Sequence, residues 1–179
     1  MSPEKLKQLL LELQQGKISI DEAMNSLSTL PFADIGFAKI DHHRALRTGF
    51  PEVVLGEFKD VDQISAIVSA MKKQGGNILV TRVDSDKAPK ILAVHPDLSY
   101  RDTARCLVLT QEPIIPRGVG PIYVVTAGTS DISTAEEVCT TAEMAGSEVK
   151  RIYDAGVAGI HRLFHRLEEL RSASVIVVI

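Results

Sequence analysis

Two short stretches combine glycine, hydroxyl and acid in a way that suits a phosphorylated ligand. Val125–Asp131 reads VTAGTSD and Tyr153–Gly159 reads YDAGVAG. The first follows an apolar run, PIYVV, and leads into ISTAEEVCTTAEMA, so it is expected at the carboxyl end of a strand with a helix behind it. There Ala127 and Gly128 allow close approach to the backbone, Thr129 and Ser130 can donate hydrogen bonds, and Asp131 can accept one from a ribose hydroxyl. The start of the following helix adds N–H groups without intrahelical acceptors and the positive end of a dipole, a combination that favours phosphate. One βα unit later, Asp154, Gly156 and Gly159 repeat the pattern. His161 and Arg162 follow in the next helix, and an arginine can hold phosphate through two parallel bonds. Ser-Asp before a helix is also an ordinary cap, and glycine commonly closes such turns. A single turn would carry little weight, but two at one edge bring the ligand reading level with the structural one.

Other residues compete for attention. Asp41-His42-His43-Arg44, with Arg47, crowds a loop punctuated by Gly36, Gly49, Pro51 and Gly56. Adjacent histidines rarely both ligate one ion, and no third or fourth ligand stands at a familiar spacing, so no metal is assigned. Asp41, Arg44 and Arg47 instead reach an anionic ligand or a neighbouring subunit on this reading. TRVDSDKA (81–88) follows a strand, and its acids and Lys87 face a ligand or form a salt-bridged surface. His95 reads as structural and His165 as surface. Cys106 and Cys139 sit apart in apolar contexts without a CxxC, as reduced buried thiols do. No Ser-His-Asp or Cys-His arrangement, no GxGxxG and no P-loop motif is found.

These residues need a scaffold, and the pattern supplies one. Ser2 can cap a helix that opens at Pro3, with Leu6, Leu9, Leu10 and Leu13 at helical spacing and Gly16 at its end. A second helix starts near Ser19, continues through Ala23, Leu27 and Leu30, and stops at Pro31. FAKI and EVVLG suggest short strands. VDQISAIVSAMKKQ predicts a helix, NILVTRV (77–83) and RCLVLTQ (105–111) strands, and 87–95 either a short helix or a strand. Pro116–Pro121 is a loop or hinge. Then come strand 122–126, helix 131–145, strand 148–153, helix 157–171 and strand 174–179. Strands alternating with helices imply βαβ units and a parallel, doubly wound α/β sheet. The expected organisation is a helical hairpin (1–31), a small α/β domain (32–117) and a nucleotide-binding α/β domain (118–179).

The chain has 179 residues, 45 % of them hydrophobic and 24 % charged, with a net charge of −3. Such a composition supports a core. It offers no basic face for nucleic acid or an anionic membrane. No apolar run approaches the length of a membrane span and the amino terminus is no signal peptide, so a cytoplasmic location is expected.

LPFADIGFAKIDHHRALRTGFPEVVLGE, VVTAGTSD and YDAGVAGIHRL together resemble the LarB family of nickel-pincer cofactor biosynthesis, which serves lactate racemase maturation. The second half is also similar to PurE, the AIR carboxylase/mutase of purine synthesis, where a Gly-Ser-x-Ser-Asp turn and a Ser-Ala-His-Arg segment surround a ribonucleotide. Gly128–Asp131 and Gly159–Arg162 are the matching stretches. The resemblance implies a PurE-like, Rossmann-type three-layer sheet. It implies an enzyme that carboxylates the pyridinium ring of nicotinic acid adenine dinucleotide, or an NAD-like nucleotide, and hydrolyses the phosphoanhydride. The products would be pyridinium-3,5-biscarboxylic acid mononucleotide and AMP. CO2 or bicarbonate is then a co-substrate, no cofactor is held firmly, Mg2+ is left open, and a homo-oligomer, as an octamer, is expected.

In that family a cysteine thiolate first adds to the electron-poor ring. Its position does not match Cys106 or Cys139 and is expected beyond residue 179, as is an acidic turn. A truncated chain with little turnover is therefore expected, with no catalytic residue of its own. Phe58 stands where the family tends to have glycine in GEGK. The competing readings are a non-catalytic nucleotide-binding or regulatory module, and an AIR carboxylase-like enzyme.

Overall fold

The computed structural model describes residues 3–28, 32–41 and 43–179. Ser2, Leu30, Pro31 and His42, each named in the sequence reading above, lie outside them. Helices α1 (Pro3–Gln14) and α2 (Ile20–Ser28) form the expected hairpin. The start of α2 is fixed by reciprocal bonds: the Glu22 N–H donates to Ser19 Oγ (3.1 Å) and the Ser19 N–H to Glu22 Oε2 (2.7 Å). This capping box satisfies two donors that the helix itself cannot.

The next segment opens with an antiparallel pair, β1 (Phe32–Asp34) and β2 (Lys39–Asp41), followed by the short helix α3 (Arg44–Thr48). The expected FAKI strand is thus shifted along the chain, because Gly36 and Phe37 belong to the turn. A four-stranded sheet comes next, ordered β3 (Val53–Leu55), β4 (Ile78–Thr81), β6 (Cys106–Leu109), β5 (Ser99–Arg101). Only β3 and β4 are parallel, and β6 runs antiparallel to both of its neighbours. Helix α4 (Val61–Gln74) makes the β3–β4 crossover, with Asp60 and Gln63 forming a second capping box. Residues 88–94 resolve as helix α5 (Ala88–Val94), with Ala88 and Ile91 buried one turn apart.

Alternation along these strands assigns the two faces. Ile78, Val80, Leu107 and Leu109 pack with Ile64, Ile67 and Val68 of α4. Leu79, Cys106 and Val108 point the other way, towards Met144. That methionine ends α6 (Ile132–Met144), which belongs to the second sheet.

The second sheet is parallel throughout, ordered β8 (Val149–Ile152), β7 (Ile122–Val125), β9 (Val175–Val178). Ala135 and Cys139 of α6 lie against Val124 on one face. Leu163 and Leu170 lie against Tyr123 and Val125 on the other. Both faces of the central strand are covered, which is why its sequence is continuously apolar. The expected three-layer α/β arrangement is present, and α6 lies between the two sheets.

A second element differs from expectation. The single helix over 157–171 is a 3-10 turn (Val157–Gly159) followed by α7 (Ile160–His165) and α8 (Leu167–Arg171). The chain leaves helical geometry at Arg166, with φ −102° and ψ 10°. The offset seats Leu163 and Leu170 separately on one sheet face. A periodicity argument sees the apolar spacing but not the interruption.

Candidate functional site

The two glycine-bearing turns meet. The 127–131 turn leaves the carboxyl end of β7 and the 153–159 turn leaves the carboxyl end of β8, its parallel neighbour. Thr126, fully buried between them, ties them together. Its side-chain oxygen accepts from the Asp154 N–H (3.0 Å) and its carbonyl from the Ala155 N–H (2.9 Å). A Cβ on Gly156 would lie 2.6 Å from the Ala127 carbonyl oxygen. Glycine is therefore needed at 156 for a backbone contact within the protein, whatever binds outside it. Thr126 escaped sequence reasoning because its hydroxyl extends the apolar run by one residue and looked like the end of a strand.

Within the first turn, Thr129–Asp131 form a 3-10 turn entering α6. The Asp131 carboxylate is engaged on both oxygens: the Gly128 N–H donates to Oδ2 (2.9 Å) and the Ser130 hydroxyl to Oδ1 (3.1 Å). Asp131 thus holds the turn in shape, while Thr129 and Ser130 stay exposed. In the second turn Asp154 adopts φ +56°, a left-handed conformation that costs a non-glycine residue free energy. Its carboxylate pairs with the Arg162 guanidinium. His161 is exposed on α7. Strained residues of this kind cluster where a surrounding structure enforces them, often at ligand sites.

Behind the second turn lies a charged network that sequence inspection missed. The Tyr153 hydroxyl donates to Glu136 Oε1 (2.7 Å), and Arg151 grips both oxygens of Glu136 (2.9 and 3.1 Å). Arg151 also reaches Glu143 (2.8 Å), which pairs with Arg101 on β5 (2.5 Å). Burial opposes ionisation of Glu136, but the bonds from Arg151 and Tyr153 outweigh it and hold its carboxyl below the ordinary 4.5. For Glu143 burial likewise opposes, and Arg101 and Arg151 prevail. The only available signal was acids at positions 136 and 143, one helical face apart by seven residues, on a helix predicted to pack.

The remaining candidates lie elsewhere. Asp41 pairs with Arg47 (2.5 Å), and this guanidinium holds its carboxyl below the usual range. Arg44 is exposed at the start of α3. Asp41 borders a cavity that also touches Met144 and Ala145, the carboxyl end of α6, whereas the 127–131 turn enters the amino end. A helix of 13 residues separates those ends by about 20 Å. The structure therefore does not bring Asp41, Arg44 and Arg47 to the two turns within one chain. Of the 81–88 stretch, Asp84 and Lys87 form ion pairs: Asp84 with Arg105, and Lys87 with Asp84 at 3.4 Å. His95 is buried with Nε2 3.1 Å from the Ser65 carbonyl oxygen, as its structural reading requires.

Both cysteines are fully buried. Burial pushes the Cys106 thiol up to about 12, and raises that of Cys139 despite a contact with the Tyr153 hydroxyl (3.6 Å). Neither offers a thiolate at neutral pH. Among the described residues no three His, Cys, Asp or Glu side chains gather as a metal site, and no helix is long and apolar enough to cross a membrane.

Comparison with known proteins gives two matches. Residues 32–111, which hold the β1–β2 pair and the four-stranded sheet, match the family described as LarB/PurE-like N-terminal domain. Over 180 aligned residues the chain is 34% identical to Uncharacterized protein MJ0165 of Methanocaldococcus jannaschii, covering 97% of this chain and 70% of that relative. The two turns lie outside the first match and within the second's near-complete coverage.

Proposed function

The chain belongs to the LarB family, and from that premise we propose that it binds nicotinic acid adenine dinucleotide at the joined turns 127–131 and 153–162. The reaction it serves is carboxylation of the pyridinium ring and hydrolysis of the phosphoanhydride, giving pyridinium-3,5-biscarboxylic acid mononucleotide and AMP for nickel-pincer cofactor synthesis. One observation carries the reading: two glycine-bearing turns at the carboxyl ends of adjacent parallel strands touch, leaving Thr129 exposed beside the start of a long helix. Ligands of open parallel sheets lie at this rim.

In this reading the Thr129 hydroxyl and the backbone N–H groups that open the 3-10 turn before α6 receive a phosphate. Arg162 supplies the countercharge, with Asp154 setting its direction. Asp131 acts by holding the Gly128 amide and the Ser130 hydroxyl in place. The ring must gain electron density before it attacks CO2, which calls for prior addition of a nucleophile. Cys106 and Cys139 do not serve, because they are buried and protonated. A homo-oligomer is part of the proposal, and Val157 and Phe164, 86% and 63% exposed beside the rim, are the surfaces it would use.

Calorimetric titration with nicotinic acid adenine dinucleotide tests the site. Arg162→Ala and Asp131→Ala are each expected to lose about 1–3 kcal/mol of binding, as when a charged hydrogen bond is removed. Equal affinity in the wild type and both variants would remove the assignment.

A further inference from the structure

A cavity of about 500 Å3 lies away from the two turns, under α1 and against the carboxyl end of α6. We propose that it is a second binding site, for a neutral, mainly apolar small molecule. Its size falls within the range of clefts that enclose drug-sized ligands. Its apolar walls come from both sheets' surroundings, including Ile40, Phe50, Met71, Ile78, Ile114 and Met144.

The ligand class follows from the charges. The ionic groups on the lining already have partners inside the protein. Lys5 pairs with Glu112 (2.5 Å), Asp41 with Arg47 (2.5 Å), and Arg117 with the Gly49 carbonyl oxygen and Glu4. Glu52 accepts the Asp41 N–H (2.6 Å). A charged ligand would lose its hydration there and find its counterions already engaged, which is costly. A neutral one meets no such penalty. Among the neutral polar side chains on the lining, which include Gln8 and Gln74, Asn77 presents a fixed donor. Its Oδ1 accepts the Gln111 and Glu112 N–H groups (2.9 and 3.0 Å), which leaves the amide NH2 as a donor on that wall. The ligand is thus an apolar body carrying a hydrogen-bond acceptor. Glu4, Lys5 and Gln8 place α1 along one side, fastened by the Lys5–Glu112 and Glu4–Arg117 pairs, so occupancy and docking of the hairpin are linked.

The probe is N-phenyl-1-naphthylamine, a neutral apolar fluorophore, titrated into the full chain. Saturable one-to-one enhancement is expected. Ala45→Phe and Ile115→Trp, which fill the cavity from a short helix and a half-exposed loop, should each weaken binding at least tenfold while the far-ultraviolet dichroism is retained. Lys5→Glu should speed probe release severalfold. Val94→Ser, at an exposed apolar position outside the lining, should change nothing, and nicotinic acid adenine dinucleotide should not compete. The proposal fails if enhancement does not saturate, if both filling variants bind as wild type, if Val94→Ser abolishes the signal, or if the nucleotide displaces the probe. It also fails if the anionic 1-anilinonaphthalene-8-sulfonate binds this site as tightly as the neutral probe. Apart from displacement by the nucleotide, which would also count against the turns as its site, none of these outcomes bears on nucleotide binding there.

Discussion

Each sheet ends in a glycine-bearing rim, and the two rims differ in how their polar groups are used. At the carboxyl ends of β3 and β4, Arg82 adopts φ +53° and lies between Glu57 (2.9 Å) and Glu137 (3.4 Å), while Arg105 adopts φ +52° and pairs with Asp84. Lys87 donates to the Lys59 carbonyl oxygen (3.1 Å) as well as pairing with Asp84. The cations there are neutralised by acids of the protein itself. At the ends of β7 and β8 Arg162 is likewise paired with Asp154 and the Ser130 hydroxyl with Asp131, but the turns are braced from behind, by Thr126 and by the Tyr153–Glu136–Arg151 network, and Thr129 stays exposed at the start of α6. Glycine at the end of a parallel strand is therefore not sufficient to mark a ligand site. What separates the rims is this bracing and the exposed Thr129 before a long helix, not the pairing of their cations.

A matched pair of substitutions tests that distinction most strongly. Valine at Gly156 meets the Ala127 backbone, and valine at Gly56 meets Val83 Cγ2 at 2.8 Å and the Thr81 carbonyl oxygen at 2.9 Å. Overpacking of this kind costs about 1–3 kcal/mol, so both should lower the urea midpoint similarly. Only Gly156→Val should also abolish binding of nicotinic acid adenine dinucleotide. Loss of binding in Gly56→Val alone would reverse the comparison.

Tyr153→Phe removes one hydrogen bond to Glu136 and leaves the Arg151 fork intact. A stability loss of about 1 kcal/mol is expected by chemical denaturation, with weaker nucleotide binding as the Asp154 turn loosens. Unchanged binding would mean that the network does not brace the turn.

The same network sets a pH dependence. Glu136 and Glu143 have folded-state values held below their ordinary 4.5. Their contribution to stability is fully present above that value and is lost as pH falls through the lowered one. The urea midpoint should drop on acidification below about 4.5, and Arg151→Met should flatten that drop. A slope unaltered by Arg151→Met would assign the acid sensitivity to other carboxylates.

The smallest effect is expected at Phe58, which is 89% exposed with φ +62°, the third residue of a turn closed by the Lys59 N–H to Gly56 carbonyl bond (3.2 Å). Glycine is the natural occupant of that conformation, and Phe58→Gly should stabilise the fold by about 1 kcal/mol at most, leaving nucleotide affinity untouched. A loss of stability would show that the ring makes a contact that outweighs the strain.

Much of this architecture was legible in the sequence. The strands of the second sheet and helix α6 fall within a residue or two of expectation, because IYVV can be buried on both faces only between layers of helix, although VIVV of β9 stays largely exposed at the sheet edge. The break at Arg166 was not legible, since Leu163 and Leu170 fit one continuous helix as well as two. The first sheet reads as strands, but nothing in NILVTRV or RCLVLTQ states that β6 runs antiparallel. The turns 127–131 and 154–162 were singled out from residue type and from their place after a strand, and the structure shows that the two turns meet. The bracing residues were not, because Thr126, Glu136 and Tyr153 are individually ordinary.

The sequence by itself determined the element types, the apolar faces and the positions where glycine breaks the chain, since these depend on local sterics and on periodicity of burial. Only the tertiary structure decided which polar groups remain available. It spends the charges at 82–105 on one another, buries both thiols, parts Asp41 from Asp131 by the length of α6, and joins two turns across Gly156. Pairing, desolvation and contact between distant segments are properties of three-dimensional neighbours, and no one-dimensional spacing encodes them.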